Sequence, residues 1–217
     1  MHAAPEPAYE PAQEFNPGAP TAPRPAAAAI VLREGGSAPE ALLVRRNPQA
    51  RFMGGVWVFP GGALKPSDGA EAQGAPGESH REAAMRELRE EAGVALPTSG
   101  CLVGFARWIT PAQVRTRFDT HFYLAELPAG QTPEVDGQEC VELRWLTAQA
   151  ALAASASGEL ALVFPTIRQL EALAGFGSVA ALLDHFRERP VETVEPRVLV
   201  EDGSARIVLP GEAGYDD

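Results

Sequence analysis

The sequence predicts an α/β fold in which a mixed β-sheet carries a helix on one face. Three observations lead there. Short apolar runs bounded by glycine, proline and polar residues recur through residues 26–146, as buried or half-buried strands do. Among them, residues 78–91 contain no helix breaker and are rich in Ala, Leu, Met, Arg and Glu, all good helix formers. Beyond residue 146 the pattern turns helical and then closes on two further apolar runs around Asp202-Gly203. At 217 residues and 45% hydrophobic content, the chain can bury one full core. We therefore expect a domain over residues 25–190, preceded by a disordered Pro- and Ala-rich tail over 1–24 and followed by a hairpin and tail over 191–217.

Taken in order, residues 26–33 and 40–46 are apolar runs joined by Glu34-Gly35-Gly36-Ser37, a hairpin pattern. Residues 47–55 are polar and glycine-containing, a loop before the strand-like Val56-Trp57-Val58-Phe59. The helix over 78–91 ends where Gly93 can supply a C-terminal cap, and Ala84 and Leu88 give it an apolar side toward the sheet. Residues 101–109 and 118–127 read as strands separated by a turn at Thr110-Pro111, and 141–146 as another. Thr147 suits the N-cap of an alanine-rich helix, and Thr166 follows Pro165 at the start of a second. Residues 179–187 form a third, ended by Pro190. Asp202-Gly203 marks the turn of a terminal hairpin over 197–209.

The charge pattern of the first helix points to chemistry. Glu87, Glu90 and Glu91 are spaced i, i+3 and i+4, so their carboxylates share a face at the negative end of the helix dipole. A hard divalent cation, Mg2+ or Mn2+, would relieve that repulsion. A solvated helix could use the same residues, with Glu82–Arg86 and Arg86–Glu90 as ion pairs. Against this stands Phe59-Pro60-Gly61-Gly62, whose glycines let backbone approach an ion or phosphate closely. A net charge of −11 and a pI near 4.9 argue against a nucleic-acid or anionic-membrane surface. No apolar run reaches membrane-spanning length, and no secretory leader is evident. Cys101 and Cys140 sit apart in apolar settings, as reduced thiols of a cytoplasmic protein would, with one disulfide as the alternative.

From Glu78, seven residues and then Arg-Glu-Leu-Arg-Glu-Glu-Ala-Gly-Val resemble the second part of a Nudix box, the signature of hydrolases of nucleoside diphosphates linked to another group. The resemblance implies a Nudix-type α/β/α sandwich. The family places its first glutamate six positions after the second glycine, which here is Asp68; Glu78 lies ten residues later, so the box carries an insertion. Asp68 and Glu78 both remain open for that role. The resemblance also implies Mg2+ or Mn2+ held by Glu87, Glu90, Glu91 and the Gly62 carbonyl. Gly61 would lie against the diphosphate and Arg86 would orient a helix glutamate. The general base would be Glu90 first and Glu139 second, with Glu142 also open to it.

Residues 42–62 further resemble the stretch that marks coenzyme A diphosphatases within that family. Arg46, Arg51, Gly55 and Phe59 to Gly62 fall in register, while Val44 and Asn47 depart from the expected Thr and Ser or Ala. Arg117-Phe118-Asp119-Thr120 and Pro165-Thr166 also resemble the coenzyme A-directed branch with interrupted boxes. Arg46 and Arg51 would then meet substrate phosphates, for which guanidinium forks are suited. The expected partner is a small nucleotide, with no nucleic acid and no membrane; a homodimer is left open. The expected reaction is hydrolysis of coenzyme A or acyl-coenzyme A to 3′,5′-ADP and the 4′-phosphopantetheine. ADP-ribose or a dinucleotide is the alternative substrate, and a non-catalytic nucleotide sensor the alternative class. His80 and His121 are expected to be structural, and Trp108 to fill core.

Overall fold

The computed structural model describes residue 16 and residues 18–65, 76–201 and 204–215. Residues 1–15 and 17 of the expected tail over 1–24, the insertion with Asp68, and the Asp202-Gly203 turn lie outside the described residues.

An eight-stranded mixed sheet forms the centre, in the order β3(Trp57–Val58), β2(Glu40–Arg46), β1(Arg24–Arg33), β6(Phe118–Glu126), β5(Val103–Ile109), β8(Glu192–Val194). Off that path, β4(Gly61–Ala63) pairs with β1 and β7(Cys140–Thr147) with β2. β1 is the axis. It runs parallel to β6 from Arg24↔Phe118 to Leu32↔Glu126 and antiparallel to β2 and β4. Its sequence is apolar from Ala26 to Leu32, with no polar alternation, because both of its faces are covered. Ala27, Ala29 and Val31 face one cluster, and Ile30 and Leu32 the other.

The first cluster holds α1(Pro76–Ala92) against the sheet through Ala83, Ala84, Leu88 and Ala92, all fully buried. Alanines on both partners let helix and strand approach closely. The second cluster gathers α2(Ala148–Ala156), α3(Phe164–Leu173) and α4(Val179–Arg187) through Ala151, Leu170 and Leu182. The result is the α/β/α sandwich. Thr147 accepts the Ala150 N–H at 3.2 Å and caps α2, while α3 starts at Phe164 with Pro165 in its first turn. Gly93 takes φ +66° just past α1, and its N–H returns to the Arg89 carbonyl at 3.2 Å.

The described residues on either side of 25–190 include several tied to the domain. The Asn16 N–H reaches the Gln113 carbonyl at 2.8 Å, and Arg24 already belongs to β1. Beyond Pro190, β8 pairs in parallel with β5, from Ala106↔Glu192 to Trp108↔Val194. β9(Arg197–Glu201) and β10(Ser204–Val208) form the terminal hairpin, in register from Val208↔Arg197 to Ser204↔Glu201. No helix among the described residues is long and apolar enough to cross a membrane.

Candidate active site

The acidic end of α1 meets β4 where Gly61 and Gly62 pair with Ala28 and Ala27 of β1. A Cβ at Gly61 would lie 2.5 Å from the Ala28 Cβ, and one at Gly62 would collide with Oε1 of Glu87. Both glycines are therefore dictated by close approach. The Gly61 N–H donates to Glu91 Oε2 at 2.9 Å, so Gly61 holds a glutamate in place rather than offering that donor to a ligand. Glu87 and Glu91 are 7% and 2% exposed, an expensive setting for carboxylates.

The third glutamate diverges. Lys65 Nζ lies 3.2 Å and Arg86 Nη1 3.0 Å from Glu90 Oε2, which turns Glu90 to the rim. Burial opposes ionisation of Glu90, but the hydrogen bonds from Lys65 and Arg86 outweigh it and hold its carboxyl below the usual range. Arg86 is the hinge of the cluster: Nη1 also donates to Glu87 Oε1 at 2.7 Å, and Nη2 to the Ala63 carbonyl at 3.1 Å. Helical spacing placed three carboxylates on one face. The side chains divide it into a buried pair and a tethered rim residue.

Glu91 is the most perturbed carboxyl. Burial pushes it up, the Gly61 N–H opposes, Glu87 adds repulsion, Arg46 opposes and Glu139 repels, leaving it at about 7. The Cys140 thiol, hydrogen-bonded to Glu91, is pushed far up by burial and stays protonated. Both cysteines are free thiols.

A cavity of about 470 Å³ opens over this pair, bounded by Arg46, Gly61, Gly62, Glu87, Glu91 and Glu139 among others. Phe118, Thr120, Pro165 and Thr166 line its far side, which brings the two downstream motifs to the same space. The 47–55 loop explains the fate of its two arginines. Its base closes through Arg46 N–H to the Val56 carbonyl at 2.9 Å and Gly55 N–H to the Arg46 carbonyl at 3.1 Å. Arg46, at the base, lines the cavity, and its buried Nε has no hydrogen-bond partner among the described residues. Arg51, at the tip, is exposed and is not on the cavity wall; Phe52 and Met53 take that place.

Val44 is fully buried in the α1-side core, and Asn47 spends its side chain on the Gln138 carbonyl at 2.8 Å and the Gln49 N–H at 2.9 Å. Glu142 pairs with Arg45 at 3.5 Å and Arg144 at 3.1 Å, away from the cavity, whereas Glu139 lies on its wall. Arg24 and Lys65 are wall residues absent from the sequence-based expectations; Arg24 precedes the apolar run of β1, Lys65 follows the Gly61-Gly62 segment, and neither carries a motif of its own. His80 and His121 lie with ring centroids 4.1 Å apart and planes tilted by 38°, and burial followed by His80 pulls His121 down to about 4. The side chain of Glu78 lies outside the described residues.

The oxygen donor set suits a hard cation: two buried carboxylates with a glycine cradle that a Cβ would fill. Among the described residues no three acid, histidine or cysteine side chains already converge as a cage, because Glu90 is held aside.

Residues 22–166 match the family model described as NUDIX domain. A Caenorhabditis elegans protein provisionally named nudix hydrolase 7 is 26% identical over 166 residues, 61% of this chain; the match spans 55% of that protein's own length. The crystal structure of a NUDIX hydrolase from Alicyclobacillus acidocaldarius is similar, with 27% identity and a TM-score of 0.69, covering 78% of this chain and 99% of that one. The NUDIX domain of Shewanella oneidensis NrtR, solved with ADP ribose, shares the fold at 17% identity and a TM-score of 0.51, covering 73% of this chain and 92% of that one.

Proposed function

The chain belongs to the NUDIX family of hydrolases, which act on nucleoside diphosphate derivatives, and from that premise we propose that it hydrolyses coenzyme A or an acyl-coenzyme A to 3′,5′-ADP and the corresponding 4′-phosphopantetheine. One observation carries the reading: the buried Glu87–Glu91 pair shares its cavity with Arg46, whose buried Nε is unpartnered among the described residues. A buried donor without a partner costs free energy, and a phosphate oxygen would satisfy it. Phe118, Thr120, Pro165 and Thr166, from the two stretches that resemble the coenzyme A-directed branch, line the same cavity.

Hydrolases of this family generally use divalent cations, and Glu87 and Glu91 would hold Mg2+ or Mn2+ here, with Glu90 and the Gly62 carbonyl completing the set. Such an ion supplies neutralisation of the diphosphate oxygens and polarisation of phosphorus. The chain does the rest. Arg86 fixes the angle between Glu87 and Glu90, and the Gly61 N–H fixes Glu91. Arg46 would take the 3′-phosphate or a diphosphate oxygen. Glu139 would accept the attacking water's proton, since it lies on the wall while Glu90 is tethered by Lys65 and Arg86. The two free thiols support a reducing, cytoplasmic setting.

The test is product identification. Coenzyme A incubated with the protein and Mg2+ should yield 3′,5′-ADP and 4′-phosphopantetheine by mass spectrometry, and Glu91→Gln should abolish both. Products formed equally well by the variant would remove the acidic pair from the reaction.

A further inference from the structure

A second chamber, of about 410 Å³, adjoins the acidic cavity. Thr110, Thr120, Phe122, Val163 and Pro165 line both. The volume is of the size that takes a small organic group, for which the usual range is about 300–1,000 Å³. It differs from its neighbour in charge: the acidic cavity carries Arg46, Glu87, Glu91 and Glu139 on a wall that is otherwise largely apolar. No charged side chain lines it, and its polar side chains are three hydroxyls and one indole: Thr110, Thr120, Ser155 and Trp108. Trp108, Phe122, Leu162 and Ile167 form its body.

One wall comes from elsewhere in the chain. Pro196 and Ile207 lie beyond residue 166, where the family match ends, and belong to the terminal hairpin region. That wall is fastened. Arg117, only 8% exposed, donates to Glu195 Oε1 at 2.7 Å, to the Thr110 carbonyl at 2.9 Å and to the Thr21 carbonyl at 2.7 Å. Tyr215 Oη donates to the Glu195 carbonyl at 2.8 Å. The segment carrying Pro196 is thereby tied to a residue of the chamber itself. β8, just before it, is paired with β5. The chamber is preformed, so an occupant need not order it.

We propose that this chamber is the subsite for an aliphatic arm on the leaving-group side of the substrate, completed by Pro196 and Ile207 of the C-terminal extension. The inference rests on the reading that the acidic cavity holds the diphosphate. A purine would leave its ring nitrogens and amine facing mostly hydrocarbon, and a ribose its hydroxyls, each a desolvated group without enough partners. An alkyl chain has nothing to satisfy and gains with every methylene removed from water. The chamber would thus select nucleoside diphosphates esterified to an aliphatic group over those esterified to a sugar.

Alkyl esters of ADP test this directly. Hydrolysis puts water's oxygen on one phosphorus and its proton on the released phosphate, giving AMP and an alkyl phosphate. From ethyl to hexyl, kcat/KM should rise by up to about fourfold per methylene, the transfer value of one CH2. Ile207→Asp, which charges the wall, and Ile207→Trp, which fills the chamber, should both flatten that slope. A parent enzyme that cleaves all the esters with no dependence on chain length overturns the subsite and leaves the hydrolase reading intact. If no ester is cleaved, that reading fails on its own, and calorimetry with alkyl phosphates decides the chamber. Hexyl phosphate should bind the parent at least tenfold more tightly than ethyl phosphate, and the advantage should vanish in Ile207→Asp; equal binding of the two overturns the proposal.

Discussion

At the scale of single residues, Glu91 is the most informative side chain. Its carboxyl sits at about 7 when folded, raised chiefly by burial, against an ordinary value of 4.5. The folded state therefore keeps a proton that the unfolded state has lost, and stability falls as pH rises from 4.5 through 7. In EDTA, the parent should lose stability across that window relative to Glu91→Gln, by at most about 3 kcal/mol on the free-energy equivalent of a pKa shift. Thermal melts of both proteins at pH 5, 6, 7 and 8 would show it; parallel curves would mean that Glu91 is not buried as described. Mg2+ competes with that proton, so its stabilising effect should be larger at pH 8 than at pH 6. Arg46 carries the second prediction at this scale. A charge-assisted contact is worth about 1.5–3 kcal/mol, so Arg46→Ala should lower kcat/KM for coenzyme A by roughly ten- to a hundredfold. Arg51, exposed at the loop tip, should matter far less. The sequence showed both arginines in register but could not separate them. The loop closes at Arg46 through hydrogen bonds that leave no trace in residue type.

At the scale of elements, the junction of α1 with β4 decides the site. Gly62→Ala would drive a methyl group into the Glu87 carboxylate, so it should weaken Mg2+ binding and cost about 1–3 kcal/mol of stability, as overpacking does. Calorimetric titration with Mg2+ and a denaturant melt check the two effects. Leu88→Ala, beneath the acidic end, should cost about 2–5 kcal/mol by leaving a cavity against the sheet. The helix itself was plain in the sequence, from its composition and the glycine that follows it. So were β1, β2, β5 and β6, because long apolar runs bounded by turns have few other solutions. β4 and β8 were missed: at three residues each they hold no periodicity, and only their pairing with β1 and β5 makes them strands. The parallel pairing of β1 with β6 is likewise a property of the assembled sheet. The divergence of Glu90 from Glu87 and Glu91 was equally hidden. Helical spacing assigns a face, whereas Lys65 and Arg86 assign the rotamer.

At the scale of the whole molecule, the sandwich places acid and hydrocarbon in adjoining spaces. β1 brings β4 and its glycines to α1 on one side, and β5 and β6 present the apolar chamber toward α3 and the terminal hairpin. The chain carries a net charge of −11, and a bound cation would offset part of it at the acidic pair. With Mg2+ the parent should melt at a higher temperature, by linkage to the folded state, and the rise should disappear in Glu91→Gln. An anionic substrate would meet positive charge locally from Arg24, Arg46 and Lys65, and from a cation held by the acidic pair. If Arg46 meets the 3′-phosphate of coenzyme A, the site favours coenzyme A over a nucleoside diphosphate that lacks this group. The ratio of kcat/KM for coenzyme A to that for ADP-ribose, measured on the parent protein with saturating Mg2+, tests it most directly. A ratio of roughly ten or more is expected, from one charge-assisted contact alone. A ratio of one or below would contradict it and leave a hydrolase directed at ADP-ribose.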